Sequence, residues 1–504
     1  MSEKRIANVL ICLSVMFAGV VLFLFPHRTV DDAFITYRYA DNLARHGALT
    51  WNVGEPAVEG YTGVALPVLL AAAGKVGLTP DPVSKAIGVV SYGLCALFLY
   101  LLVRYMRVRR LIAAITVALY LTMPLQFTHA LAGLETMLFA CGATGAVLAL
   151  LRCFDPDLGG SRSEITLLVA LLVTCLVRPE GLALAGLAVA SLLVHTLITD
   201  RSRVLPYLLR LMLFLVLPLS AYFFWKWSYY GSLLPNSYYA KLFDGINPVS
   251  VGWMEDFWHR YMSFVTVGCG ILWFWPMARV LKQQDRIKKL GLTFNNLLWI
   301  GVILAVMVAS GCQYARSYLY MNYSFRFFVP FYPMYLAVLG LLADRGFDRT
   351  LIPGIGTRWY DKLVVGLAVL IISIQCYRHM EHLPGEFGSA RSGQQLIEKE
   401  LAAAGQYLKE TLPGTEWLAV CIDAGAIPYY SQLKTIDMGN LNDPTLARGQ
   451  LTDEEALDYV FGHRPGAWTI TSRSADSLVY PRSAMSPAND PRFDKYVLTE
   501  VFRP

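Results

Sequence analysis

Residues 6–25 form an almost uninterrupted apolar run, and about 20 such residues wound as a helix cross a bilayer. Runs of the same character recur at about 63–78, 83–103, 111–125, 137–151, 165–177, 181–198, 211–230, 263–281, 293–310, 327–343 and 363–377. Lipid offers no water to backbone amides, so such runs span as helices. The 504-residue chain is 55% hydrophobic and only 16% charged, against about 25% charged in soluble domains. The reading is an all-α polytopic membrane protein.

The charges set the topology. Arg104, Arg107, Arg109 and Arg110 form one basic cluster, followed by Arg201, Arg203 and Arg210, then Arg279, Lys282, Arg286, Lys288 and Lys289, and last Arg345, Arg349, Arg358 and Lys362. All four fall inside if residues 63–78 lie along the interface instead of crossing, as the positive-inside rule asks. That segment is short and carries Gly63, Pro67, Gly74 and Lys75. Eleven spans are therefore expected, with a cytoplasmic N-terminus. The first run reads as an uncleaved span, because His27, Arg28 and Asp31 follow it in place of a small-residue cleavage site. The net charge of +6 is distributed in these clusters, with no zinc spacing and no basic helix interleaved with aromatics, so nucleic acid is excluded as a partner. Of nine cysteines, Cys12, Cys95, Cys141, Cys175 and Cys269 lie in apolar runs and Cys421 in the polar tail. No CxxC pair or disulfide framework is present.

An odd span count puts the C-terminus outside. From about Arg378 long apolar runs stop and Glu, Lys, Asp, Gly and Pro rise. The expected division is a membrane module over 1–377, with a first outer loop at 26–82, and a small extracytoplasmic α/β domain over 378–504. Within the latter, 393–411 reads as a helix ending before Pro413, and 417–422, 467–470 and 496–502 read as strands.

Under this topology the unusual polar residues gather at the outer ends of spans. Asp31 and Asp32 open a helix in the first outer loop, which also holds Arg38, Glu59 and Tyr61. Glu135, Arg178 and Glu180 lie at the next two outer turns. Asn236, Tyr239 and Lys241 follow the seventh span, and Arg316 and Arg326 precede the tenth. Charged groups beside spans mark function by default. Acids and cations converging on one side suit proton chemistry beside an anionic ligand. Plainer roles fit the same residues: Asp31 as the N-cap of a helix starting at Asp32, Arg178 and Glu180 as a mutual pair, Lys241 and Arg326 as snorkelling side chains, and the tyrosines as an interfacial belt. No HExxH or paired-His metal spacing occurs.

The stretch DDAFITYRYADNLARHGALTWNVGEPAVEGYTG, residues 31–63, resembles the first outer loop of bacterial GT-C glycosyltransferases. It is most like the group containing the mycobacterial terminal β-(1→2)-arabinofuranosyltransferase. GLET at 133–136, RPEG at 178–181, PNSYYAK at 235–241, the Arg-Phe pair at 326–327, DAGAIPYYS at 423–431 and IDMGNLND at 436–443 extend the resemblance over nearly the whole chain. Members of the group often carry Gly-Asp-Trp-Met-Pro-Gly before the Arg-Phe pair. Here Leu319 to Phe325 contains no acid.

The resemblance implies a GT-C fold of about eleven transmembrane helices with juxtamembrane helices in the first outer loop. It also implies a sugar transferred from a polyprenyl-phosphate donor to a glycan or protein acceptor outside the bacterial inner membrane. On that basis Asp32 is the expected base, with Asp31 positioning the acceptor or sharing the proton. Lys241, Arg326 and Arg178 are expected at the donor phosphate. Asn236, Tyr239, Glu59, Tyr61 and Arg38 are expected around the donor, and Glu135 and Glu180 elsewhere in the pocket. No cofactor is required by the resemblance, although some members use a divalent cation at such acids. The sugar is expected to be arabinofuranose, the alternatives being mannose, glucose or aminoarabinose. A transporter or flippase for a lipid-linked sugar would share the apolar bulk, but it favours inverted repeats and polar residues at the bilayer midplane, and neither pattern is found.

Overall fold

The computed structural model describes residues 3–155, 157–241, 243, 245–264, 266–267, 294–319, 322–346, 357–448, 451–471 and 487–502. Helix α1 (Glu3–Leu24) is followed by α2 (Asp31–His46), α3 (Ala65–Lys75), α4 (Pro80–Tyr105), α5 (Arg110–Leu121), α6 (Pro124–Leu131), α7 (Thr136–Cys153), α8 (Ser161–Val177) and α9 (Glu180–Thr199). Next come a long helix α10 (Arg201–Tyr230), the single turn α11 (Asn236–Tyr239), α12 (Pro248–Phe257), α13 (Phe294–Ala315), α14 (Tyr332–Gly346) and α15 (Thr357–Gln395).

Six helical stretches among the described residues are long and apolar enough to cross a membrane: α1, α4, α7, α9, α10 and Tyr323–Arg345. The pair α5 and α6, bent by 56°, makes a seventh if counted as one broken span. The bend falls just before Pro124, whose ring disfavours a helical residue ahead of it. The runs at 165–177 and 363–377 lie within α8 and α15, and 294–310 lies within α13, while residue 293 and part of 263–281 fall outside the described residues. At 11 residues, α3 reaches about 16 Å at 1.5 Å per residue, too short to cross, in keeping with the expected juxtamembrane segment.

Helix α2 links the membrane helices to the tail. It ends at Gly47, whose φ of 68° and N–H bond to the Leu43 carbonyl close the last turn. Residues 33–40 are all buried. One face, with Phe34, Tyr37 and Ala40, packs with Leu66 and Leu70 of α3 and with Ile397, Leu401, Leu418 and Ile427 of the tail. Another, with Ile35 and Tyr39, packs on Trp51, Tyr61 and Tyr230.

The expected helix at 393–411 is the continuation of α15, through one wide turn at Leu396–Leu401, into α16 (Ala402–Thr411). A single helical path thus crosses the expected junction at 377/378. Among the described residues three strands follow, β1 (Trp417–Val420), β2 (Lys434–Asp437) and β3 (Ala467–Thr469), in the order β2-β1-β3 and all parallel. Between β1 and β2 runs α17 (Ala426–Ser431), and between β2 and β3 run α18 (Pro444–Arg448) and α19 (Asp453–Gly462). The expected strand at 496–502 does not form. Tyr496 packs on Trp468 and Phe493, but Val497 and Leu498 are 81% and 75% exposed, so beyond Tyr496 the segment buries no apolar face that would hold it as a strand. Strand β2 escapes a sequence reading because Lys434, Thr435 and Asp437 leave it almost no apolar pattern.

Candidate functional site

The first turn of α2 presents two carboxylates that go to different places. Asp32 Oδ2 lies 2.7 Å from Arg326 Nη1, and Oδ1 has no protein partner among the described residues. Asp31 accepts from the tail instead: the N–H of Gly425 reaches Oδ2 at 2.9 Å and the N–H of Ala426 reaches Oδ1 at 2.7 Å. Asp31 is therefore not the cap of its own helix; Val30 holds that position, and the Asp31 carboxylate sits at the start of α17. Gly425 is required there, since a Cβ would overlap the Asp31 carbonyl. Burial and the Asp423 carboxylate push the Asp31 pKa up, and burial does the same for Asp423.

Arg326 is delivered by a strained turn. Ser324 and Phe325 have φ of 44° and 56°, a region where non-glycine residues are uncommon. His129 Nε2 donates to the Ser324 carbonyl at 2.8 Å and helps hold it. The Arg326 guanidinium lies 4.9 Å from the Phe327 ring centre. Arg178 sits 5.4 Å from the same ring, and Lys241 Nζ 5.6 Å from it. Three cations thus share one aromatic side chain, whose negative face favours them.

The acids are unevenly distributed among these cations. Arg178 Nη2 is 2.6 Å from Glu180 Oε1, and its Nε is 4.0 Å from Glu135 Oε1. Tyr314 also donates to Glu180, at 2.8 Å. Asp32 is committed to Arg326. Lys241 has no carboxylate partner for its ammonium among the described residues, although its backbone is fixed by bonds to Tyr238 and Tyr318. Burial, then Arg326 close by, pushes the Lys241 pKa down to about 8. Of the residues expected from sequence, Asp32, Arg326, Lys241, Arg178, Glu180 and Glu135 come together here.

The others gather elsewhere. Arg38 is taken up by the carbonyls of Trp51 (2.8 Å), Pro428 (2.5 Å) and Leu433 (2.7 Å) and by Asn52 Oδ1 (3.0 Å), all away from Lys241. It fastens α2 to the tail. Glu59 pairs with Lys226 Nζ at 2.9 Å, and burial pushes its pKa up to about 7 against the pull of Lys226 and Arg448. Asn236 donates its backbone N–H to the Glu59 carbonyl and accepts from Arg448 through its side chain. Arg448 lies 4.9 Å from the Tyr239 ring. Tyr61 meets Tyr230 hydroxyl to hydroxyl at 3.1 Å.

Sequence reasoning missed Phe327, Tyr314, Lys226 and Arg448. A lone lysine within the aromatic end of the 211–230 run was a readable signal for Lys226. Arg448 lies in the tail, with nothing nearby to single it out. Among the described residues no group of three His, Cys, Asp or Glu side chains is arranged to hold a metal ion; the acids here are each drawn to a cation or a backbone amide.

Residues 390–502 match a domain of unknown function, DUF8728. No curated protein matches the chain. Among solved structures, ArnT from Cupriavidus metallidurans bound to undecaprenyl phosphate is similar at 16% identity with a TM-score of 0.53, over 86% of this chain and 88% of that one. Its apo form gives a TM-score of 0.54 at 16% identity, over 86% and 87%. The archaeal oligosaccharyltransferase AglB from Archaeoglobus fulgidus, in complex with an inhibitory peptide and a dolichol-phosphate, gives 0.52 at 11% identity, over 88% of this chain and 65% of that one. At these identities the likeness concerns architecture. The chain has the GT-C fold, a multi-helix membrane protein with a small C-terminal region built on a three-stranded sheet.

Proposed function

We propose that this chain is a membrane glycosyltransferase that moves a sugar, arabinofuranose, from a polyprenyl-phosphate donor to a hydroxyl of an extracytoplasmic glycan or protein. The observation that carries the reading is Lys241: a half-buried ammonium without a carboxylate partner among the described residues, on the same ring as Arg326 and Arg178 and close to Asp32. A cation drawn partly out of water beside two others is costly without an anion, and an incoming phosphodiester would compensate it. The undecaprenyl phosphate in ArnT and the dolichol-phosphate in AglB support a lipid phosphate as that anion.

The chemistry follows from the residues. Asp32 takes the acceptor's hydroxyl proton as the acceptor oxygen bonds to the anomeric carbon. The bond from that carbon to the phosphate oxygen breaks, and the electron pair leaves with polyprenyl phosphate. Lys241, Arg326 and Arg178 hold the charge that develops there. A single displacement inverts the anomeric centre. Arg326 couples the two halves: in the free protein it holds Asp32 Oδ2, and a bound phosphate would compete for it and release the carboxylate as a stronger base. Asp31 docks the tail, and Glu135 and Glu180 keep Arg178 in place. The reading includes a membrane module over 1–377 in the bacterial inner membrane, an outer domain over 378–504 and a cytoplasmic N-terminus.

The test is transfer from synthetic polyprenyl-phosphoryl arabinofuranose by purified protein, with Asp32→Asn alongside. Release of polyprenyl phosphate by wild type alone is the expected result. Equal turnover by the variant would refute Asp32 as the base. A wild type that neither binds nor turns over the donor would refute the donor.

A further inference from the structure

A cavity of about 970 Å³ lies apart from the Phe327 cluster. Its wall comes from Phe223 and Trp227 of α10, Leu233 and Leu234 of the turn that follows, Tyr239 of α11 and Arg448 of α18. The membrane helices and the tail therefore each contribute a side, and the volume suits a ligand of small-molecule size.

Two observations define what would fill it. The first is the level of the cavity. Helix α10 is long and apolar enough to span, and its C-terminal end exposes Phe224, Trp225, Trp227 and Tyr229, the composition of an aromatic belt at the membrane–water interface. Trp227 and Leu233, both in the wall, are 58% and 51% exposed, so the cavity opens outward at that level.

The second is the charge. Arg448 Nη2 is held by Ser232 Oγ at 2.9 Å and by Asn236, which fixes the guanidinium plane. Its Nε is buried with no hydrogen-bond partner, as is Asn236 Nδ2. Lys226 is already matched by Glu59 at 2.9 Å, so Arg448 is the cation in excess among these three charges. Arg448 lines the cavity, and a fixed guanidinium suits the oxygens of a phosphate.

We propose that this cavity binds the anionic head and the first chain segments of a membrane lipid. Arg448 meets the phosphate, and Phe223, Trp227, Leu233 and Leu234 cover the hydrocarbon. The site is separate from the donor phosphate position at Lys241, and the proposal does not depend on the transfer reaction.

The test uses full-length protein in nanodiscs containing phosphatidylglycerol or phosphatidylcholine, with bound lipid counted by native mass spectrometry. Wild type is expected to retain a phosphatidylglycerol that Arg448→Gln loses, the retained fraction falling at least about tenfold, as for a charge-assisted contact. Ala447→Trp, which fills the cavity and keeps Arg448, is expected to lose it as well. If Arg448→Gln fails to fold, as judged by its thermal transition, Ala447→Trp decides. Glycerol phosphate at the same concentration is expected to leave the lipid in place; displacement by it would make the ligand a soluble phosphate ester and overturn the lipid assignment. Equal retention by all three proteins, or of both lipids, overturns the site. Lys241→Ala is expected to leave this lipid bound, so a failed donor assignment and a failed lipid site give different results.

Discussion

The two ends of the first turn of α2 serve regions of opposite character. On the tail side, the polar groups that join α2 to the tail are answered. Asp31 receives two backbone N–H groups, and Arg38 is spread over three carbonyls and an amide oxygen. Around Phe327 the same kinds of residue are left incomplete. Lys241 has no acid of its own among the described residues, and Asp32 offers a second oxygen. Hydrogen bonds contribute about 0.5–1.5 kcal/mol each, and those to a charged group such as Arg38 about 1.5–3, so the first arrangement holds the tail in place. The second holds charge ready for something that arrives. Adjacent residues of identical chemistry thus divide into structure and site according to whether their partners belong to the chain.

The strongest way to break this comparison is to exchange the two acids in turn. Asp32→Asn is expected to lower transfer about 10²- to 10⁴-fold, the worth of a positioned general base, while donor binding and the thermal transition stay close to wild type. Steady-state kinetics beside a donor-binding titration checks both halves. Asp31→Asn keeps an acceptor for one of the two N–H groups, of Gly425 and Ala426, and is expected to spare most of the turnover. A loss as large as that of Asp32→Asn would erase the distinction.

Lys241→Ala comes next. Removing the unmatched cation is expected to weaken donor binding about 10- to 100-fold, in line with one charge-assisted contact, as read by titration with the polyprenyl-phosphoryl sugar. The wild-type affinity carries a pH signature. With its pKa lowered to about 8, Lys241 is charged below that pH, so donor affinity is expected to fall as pH rises past about 8. Lys241→Arg is expected to remove that fall.

Gly425→Ala tests the closed side. A Cβ there overlaps the Asp31 carbonyl, and overpacking costs about 1–3 kcal/mol. Faster amide exchange over residues 423–431, with no loss of donor binding, is the expected outcome.

The smallest effect is the pH dependence of docking. Burial and Asp423 push the Asp31 pKa up to about 8, above its value in the unfolded chain. The folded state therefore holds the proton to higher pH than the unfolded one does. The contribution is complete below about pH 4 and is lost as pH rises towards about 8. Exchange rates over 423–431, corrected for intrinsic pH effects, are expected to rise across that window and to flatten in Asp31→Asn.

Much of this was readable in the residues themselves. Apolar runs longer than a bilayer is thick have no soluble solution, so the helical membrane class follows from sequence. The parallel strands at Trp417–Val420 and Ala467–Thr469 were visible as short apolar runs, whereas Lys434–Asp437 was not. The acids and cations at the outer turns could be named one by one, because charge beside an apolar run is conspicuous.

Their partners could not be named. Helical spacing turns Asp31 and Asp32 about 100° apart, but nothing local says that one meets Gly425, 394 positions away, and the other Arg326, 294 positions away. The gathering of Arg178, Arg326 and Lys241 at Phe327, the separate group of Glu59, Lys226, Asn236 and Arg448, and the commitment of Arg38 to the tail are likewise contacts between distant segments. The sequence determined which residues carry charge and which must be buried. The tertiary structure decided which charge each one faces, because that depends on how separate helices and the tail pack together.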